Sequence, residues 1–159
     1  MVSKVRNCIV IGLVCSLAAC GSSDDAEHES LVAYTRLACP AVSSNTPYED
    51  SLFTVIDNEH EYRERYLATA LNSQQDAPAV DFDTHQVIML YAGQKPSLGH
   101  SIDVESIAEH GEFLQVSYRE GEPQSCGADA ALSYPYCFVS VAINDKPVRF
   151  EGEVFNSCP

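Results

Sequence analysis

The feature that most limits the fold is a series of short apolar runs after Asp81, each of strand length. Residues 86–91 (QVIMLY) form a nearly continuous apolar run, typical of a central strand that is buried on both faces. Residues 113–118 (FLQVSY) alternate between apolar and polar side chains, as in a strand with one buried face. Asn144-Asp145 predicts a tight turn between the last two strands. Further strands are predicted at 51–56, 102–107, 136–143 and 148–154.

One helix is predicted before these strands. Asn58 followed three residues later by Glu61 matches a capping box, in which the asparagine side chain starts the helix. Tyr62 and Tyr66 then recur at helical spacing, and the helix is expected to end near Asn72. One helix with at least five strands, mostly joined by hairpins, predicts an α+β fold: a mainly antiparallel, small sandwich-like β domain with one N-terminal helix.

The N-terminus is typical of a secretory signal peptide. Lys4 and Arg6 precede an apolar run at 8–18, which is too short to span a bilayer. The run ends in Leu17-Ala18-Ala19-Cys20, which resembles the lipobox of bacterial lipoproteins. The resemblance implies cleavage before Cys20 and lipidation of its thiol, which would anchor the chain in a membrane. An ordinary signal peptide with a coincidental cysteine is the alternative.

These features divide the chain into a signal peptide (1–19), a lipidated polar tether (20–30) and one globular domain (31–159). Gly21 is not the aspartate associated with retention in the inner membrane, so by analogy the outer membrane is favoured. The formal net charge is −14, and it becomes about −16 once Lys4 and Arg6 leave with the signal peptide. Such a charge excludes nucleic-acid binding. Solubility beside a membrane explains it better than an acidic binding face.

Four cysteines would remain beside the lipidated one, namely Cys39, Cys126, Cys137 and Cys158. An even number in an exported protein predicts two disulfides, with three possible connectivities. We favour Cys126–Cys137, which closes a short loop, with Cys39–Cys158 joining the two ends of the domain. A zinc site is the alternative, but no Cys-x-x-Cys pair is present.

Several short segments between residues 81 and 150 form a recognisable pattern, namely Asp81-Phe82-Asp83, VIMLYAGQKP (87–96), SLGHSIDV (97–104), Glu122-Pro123 and Tyr134-Pro135-Tyr136. With these segments, residues 81–150 resemble the C-terminal domain of the PrcB family of protease-complex subunits. The resemblance implies an accessory or binding protein of the cell envelope that contacts a protein partner, such as a protease, and is not an enzyme. The sequence departs from the family pattern at Leu98 and His100, where the family tends to have glycine and tyrosine.

The candidate partner-binding site combines the loop at 93–100 with the segment Tyr134-Pro135-Tyr136. In the loop, Pro96 restricts the backbone and Gly99 is able to adopt positive φ. Lys95 supplies a cation, and His100 can titrate near neutral pH. The alternative is that the loop only shapes a hairpin and that the tyrosines pack in the core.

Two other function classes are the alternatives to an accessory subunit. The order of Lys95-Pro-Ser-Leu-Gly-His100 and Tyr134-Pro-Tyr136 is loosely similar to the binding loops of chagasin-type inhibitors of cysteine proteases. A secreted hydrolase is disfavoured because no nucleophile elbow or phosphate-binding glycine loop occurs. No cofactor or metal is expected, since His60 and Glu64 are more simply explained as a solvated i,i+4 pair.

Overall fold

The structure is a computed structural model that describes residues 29–40, 48, 50–70, 76–124 and 129–158. The predicted signal peptide, Cys20, most of the predicted tether and Cys126 lie outside these residues. No helix in the described part of the chain is long and apolar enough to cross a membrane. The elements are β1 (Ser30–Leu31), β2 (Tyr34–Ala38), β3 (Leu52–Ile56), α1 (Glu59–Thr69), β4 (His85–Tyr91), β5 (Ser101–Glu109), β6 (Leu114–Glu122), β7 (Tyr136–Ala142) and β8 (Val148–Asn156).

The strands form two four-stranded sheets. The first has the order β1-β5-β6-β8 and the second the order β2-β7-β4-β3. All neighbours are antiparallel except β6 and β8, which run parallel. The predicted α+β class, mainly antiparallel with one helix, is confirmed.

Two apolar clusters flank the second sheet. One lies between the sheets and is built from alternate residues of β4, β5, β6 and β7. The other lies between the opposite face of the second sheet and α1. Strand β4 contributes to both clusters, and all of its residues from Gln86 to Tyr91 are buried. This explains why its sequence is nearly continuously apolar and confirms that it is a central strand.

The start of α1 is formed as the capping box predicts. Asn58 has extended backbone angles, and its side-chain Oδ1 accepts a hydrogen bond of 2.9 Å from the backbone N–H of Glu61. Tyr62 and Tyr66 are buried against the second sheet. The helix ends at Thr69, earlier than predicted, because Ala70 turns to an extended conformation and is itself buried in the core.

The last two strands do not form the expected hairpin. Both sides of β7 are already occupied, by β2 and β4, so β8 cannot pair with it. Residues 143–147 instead cross to the other sheet, where β8 pairs in parallel with β6. Asn144 still makes a local turn, since its Oδ1 accepts a hydrogen bond of 2.9 Å from the backbone N–H of Lys146.

The predicted disulfide pairing is wrong. Cys39 is bonded to Cys137, which excludes both Cys126–Cys137 and Cys39–Cys158. Cys39 follows β2, whose neighbour β7 carries Cys137, and the register places Ala38 opposite Phe138. The two cysteines are therefore brought together by strand pairing. Cys158 is also disulfide-bonded, to a partner outside the described residues.

Candidate functional site

The two segments predicted to form a site lie side by side. Lys95 and Ser133 form an antiparallel bridge. The N–H of Lys95 donates to the carbonyl of Ser133 at 2.8 Å, and the N–H of Ser133 donates back at 3.1 Å. We call residues 93–100 and 129–136 the loop pair.

Further hydrogen bonds hold the loop pair together. The hydroxyl of Ser133 donates to the carbonyl of Ser97 at 2.7 Å, and Ser133 is fully buried. The N–H of Leu98 donates to the carbonyl of Asp129 at 3.1 Å. Because these bonds bridge the two segments, the loops present one ordered surface.

Gly99 adopts φ 91°, in the left-handed region that favours glycine. The expectation that this glycine takes positive φ is confirmed. Its carbonyl accepts a hydrogen bond of 2.9 Å from the hydroxyl of Ser157, which follows β8. Pro96 and Gly99 are both exposed, so this part of the predicted site is accessible to a partner.

Lys95 is not a free cation. Its ammonium forms an ion pair with the carboxylate of Glu120 on β6, and the two side chains are only 19% and 16% exposed. The pair connects the loop after β4 to the opposite sheet. Lys95 thus contributes to the position of the loop, and little of its charge is presented outward.

The remaining predicted site residues are buried. His100 is 7% exposed, and Pro135, Tyr134 and Tyr136 are also buried. The ring of Tyr136 packs edge-on against Phe138 at 5.7 Å. This is the packing role that the sequence left open as the alternative. These buried side chains cannot contact a partner unless the domain rearranges.

The burial of this region has an electrostatic consequence at Tyr91. Burial raises the pKa of its hydroxyl, and the neighbouring Tyr134 raises the pKa further. The hydroxyl donates a hydrogen bond of 2.9 Å to the carbonyl of Tyr48. Tyr91 therefore stays neutral and acts as a hydrogen-bond donor in the core.

Leu132 is the exposed apolar residue of the loop pair that sequence reasoning missed. Its side chain is 53% exposed, although its neighbour Ser133 is fully buried. The sequence feature that could have identified it is a leucine in a turn-rich segment that has neither strand nor helix periodicity. Together with exposed Pro96 and Gly99, Leu132 is available for direct contact with a partner; the other exposed residues of the loop pair are Gln94, Asp129, Ala130 and Ala131.

Among the described residues, one cluster is made of side chains of the kinds that bind metal ions. Cys39, Asp103 and Cys137 have ligand atoms within 4.8 Å of one another. The two sulfurs are joined in the disulfide, so they are not available as thiolate ligands. His60 and Glu64 are exposed on α1.

Comparison with known proteins gives one match. Residues 86–142 match the family model described as PrcB C-terminal. No curated protein and no solved structure matches the chain. The matched segment runs from β4 to the end of β7 and includes both halves of the loop pair. The segment from Gln86 to Ala142 is therefore similar to the C-terminal domain of PrcB.

Proposed function

We propose that this protein is a non-catalytic lipoprotein of the bacterial cell envelope. It acts as an accessory or binding subunit through contact with another envelope protein, such as a protease. The family match carries this proposal, because it covers the strands that build the inter-sheet core and the loops that connect them.

The loop pair supports a binding role through its construction. Its two halves are tied by backbone hydrogen bonds and by the buried Ser133. Loops held by a rigid sheet lose little conformational entropy when they bind, and they commonly carry function. Exposed Pro96 and Leu132 provide apolar contact area on this surface.

Membrane attachment is proposed from the lipobox-like sequence that ends in Cys20. Two or more acyl chains would anchor the protein stably, and the polar tether would place the domain away from the lipid. Because Gly21 follows the cysteine, we propose the outer membrane as the destination.

The anchor is tested by metabolic labelling with a fatty-acid probe. The wild type is expected to take up the label, and globomycin is expected to accumulate its unprocessed form. Cys20→Ser is the matched control and is expected to stay unlabelled. Normal cleavage of the wild type without an acyl label would disprove lipidation.

The partner is tested by cross-linking in the native envelope, followed by mass spectrometry. We expect one envelope protein to be recovered reproducibly with the wild type. Leu132→Asp is expected to reduce its recovery, whereas Leu31→Asp alters an exposed leucine on β1 and is expected not to. Absence of any reproducible cross-linked protein would contradict the proposed function.

The inhibitor alternative makes a different prediction. Chagasin-type binding would give stoichiometric inhibition of papain by the purified domain. The burial of His100 and Tyr136, which occupy the corresponding loop positions, argues against it. Inhibition at equimolar concentration would favour this alternative over the accessory role.

A further inference from the structure

Strand β8 lies at the edge of the first sheet. It is nine residues long and contains no proline. In the part of the chain that the structure describes, no strand pairs with its outer side. Proteins usually shorten, cover or interrupt such edges, because unpaired backbone groups can recruit another strand.

The hydrogen bonds at both ends of the β6–β8 ladder show which groups remain open. The N–H of Leu114 donates to the carbonyl of Pro147 at 3.0 Å, and the N–H of Ser157 donates to the carbonyl of Glu122 at 2.9 Å. Alternate residues of a strand point their backbone groups to the same side. The odd-numbered residues of β8 therefore bond to β6. The backbone groups of Val148, Phe150, Gly152, Val154 and Asn156 point to the open side.

This edge also exposes apolar surface. Val154 is 59% exposed. Phe150, four residues earlier and on the same face of the strand, is half-buried, and its ring centroid lies 5.5 Å from that of Phe53. An added strand would cover Val154 and satisfy the open backbone groups together.

The opposite edge of the first sheet, at β5, is covered by side chains of β2 and by strand β1. The hydroxyl of Tyr34 donates to the carbonyl of Val104 on β5 at 2.9 Å. Arg36 forms an ion pair with Asp103 at 2.7 Å, and β1 pairs with the end of β5. The edge of β5 is thus occupied along much of its length, whereas β8 lacks such a cover among the described residues.

Charge identifies the kind of segment that would fit. A shallow groove crosses β5, β6 and β8, and it has Glu105, Glu151 and Glu153 in its lining. None of the described residues that line it is Lys or Arg, and two of the three glutamates, Glu151 and Glu153, lie on β8. Arg149 is engaged over the ring of Phe113, at 3.9 Å from its centroid. A second copy of this acidic chain would bring carboxylates against carboxylates, which is unfavourable.

We propose that β8 receives an extended segment of the protein partner as an added strand. Alternate Lys or Arg residues of that segment lie on the outer face beside Glu151 and Glu153 of β8, and its intervening apolar residues cover Val154 on the inner face. The C-terminal end of β8 meets the loop pair through the Ser157–Gly99 hydrogen bond. The added strand would therefore continue toward the loop pair. This inference rests on the proposed function, since it names how the partner binds.

A peptide experiment tests the strand site directly. The probe is a nine-residue peptide of alternating Lys and Val, acetylated and amidated at its ends, titrated into 15N-labelled protein. We expect amide shifts at Val148, Phe150 and Val154, and no binding of the same peptide when every backbone nitrogen is methylated. Equal binding of the methylated peptide would show charge attraction alone and would overturn the proposal.

Val154→Pro is the matching protein variant, because it removes an open-side N–H and leaves the bonds to β6 intact. Val154→Thr keeps the N–H and the shape, and serves as the control. We expect the proline variant to weaken peptide binding at least tenfold and the threonine variant less than threefold. Equal binding by both variants would overturn the strand site. If the proline variant fails to fold, the methylated peptide on wild-type protein decides the question.

The native complex separates this inference from the proposed function. Loss of the cross-linked partner in Val154→Pro but not in Val154→Thr supports strand addition. Equal recovery with both variants would refute strand addition and leave the accessory function standing. No cross-linked partner with the wild type would refute the accessory function, and the peptide titration alone would then decide the strand site.

Discussion

Cys39, which follows β2, and Cys137, on the neighbouring antiparallel strand β7, form a disulfide although they are 98 residues apart in sequence. The bond encloses α1 and the strands from β3 to β6 in one covalent loop. It also lies beside Asp103, whose Oδ1 is 3.7 Å from the sulfur of Cys137. The disulfide therefore lies within the second sheet, close to the ion pair between Arg36 and Asp103 that connects the two sheets.

Replacing both Cys39 and Cys137 with alanine is expected to lower the free energy of unfolding by about 3–5 kcal/mol, because a loop of this length restricts the unfolded chain strongly. Urea denaturation measures the change. Non-reducing peptide mapping of the wild type is expected to recover a Cys39–Cys137 peptide. A peptide that links Cys126 to Cys137 would contradict the structure.

Asn58→Ala is expected to destabilise the domain by about 1 kcal/mol, because the N–H of Glu61 would lose the side-chain acceptor that caps α1. Asn58→Asp retains an acceptor oxygen at the same position and is expected to stay close to the wild type. Both variants are compared by urea denaturation. Equal loss of stability in the two variants would show that the cap is not the cause.

Lys95→Glu is expected to cost about 1–3 kcal/mol of stability, because it places a second carboxylate beside the partly buried Glu120. The double exchange, Lys95→Glu with Glu120→Lys, restores opposite charges and is expected to recover most of the loss. Thermal and urea unfolding of Lys95→Glu, Glu120→Lys and the double exchange measure the coupling. Additive effects of the two single changes would argue against a direct interaction.

The Lys146 ammonium donates a hydrogen bond to the Glu109 carboxylate, and with its positive charge it lowers the pKa of Glu109 below its ordinary value. A group with a lowered folded-state pKa stabilises the fold above its unfolded pKa. That contribution is lost as the pH falls through the folded pKa. Lys146→Met is expected to raise the pKa of Glu109, followed through its carboxyl carbon by NMR, whereas Lys146→Arg retains a cation. An unchanged pKa in Lys146→Met would refute the pairing.

Local patterns predicted most of the secondary structure. The apolar run at 86–91 indicated a central strand, and the alternation at 113–118 indicated a strand with one buried face. The Asn58–Glu61 spacing indicated where the helix begins. These signals are readable because periodicity and capping depend on residues within a few positions of one another.

The candidate site was only partly predictable. The sequence indicated that the loop at 93–100 and the segment at 134–136 are turn-rich, and it identified Gly99 as a residue that is able to adopt positive φ, which the structure confirms. It did not indicate that His100 and Tyr136 are buried while Leu132 is exposed. In irregular segments no periodicity assigns side chains to a face, so burial depends on which strands lie alongside.

Long-range pairing was decided by the tertiary structure alone. The turn at Asn144-Asp145 is compatible with a hairpin, but β4 already occupies the side of β7 that β8 would need. Likewise, nearness in sequence favoured Cys126 for Cys137, whereas the β2–β7 pairing placed Cys39 there. The sequence by itself determined the strands from residue 51 onward, the helix start and the central strand that is buried on both faces. The tertiary structure decided the strand neighbours, the disulfide and the open edge of β8, because each depends on contacts between distant segments that no local pattern encodes.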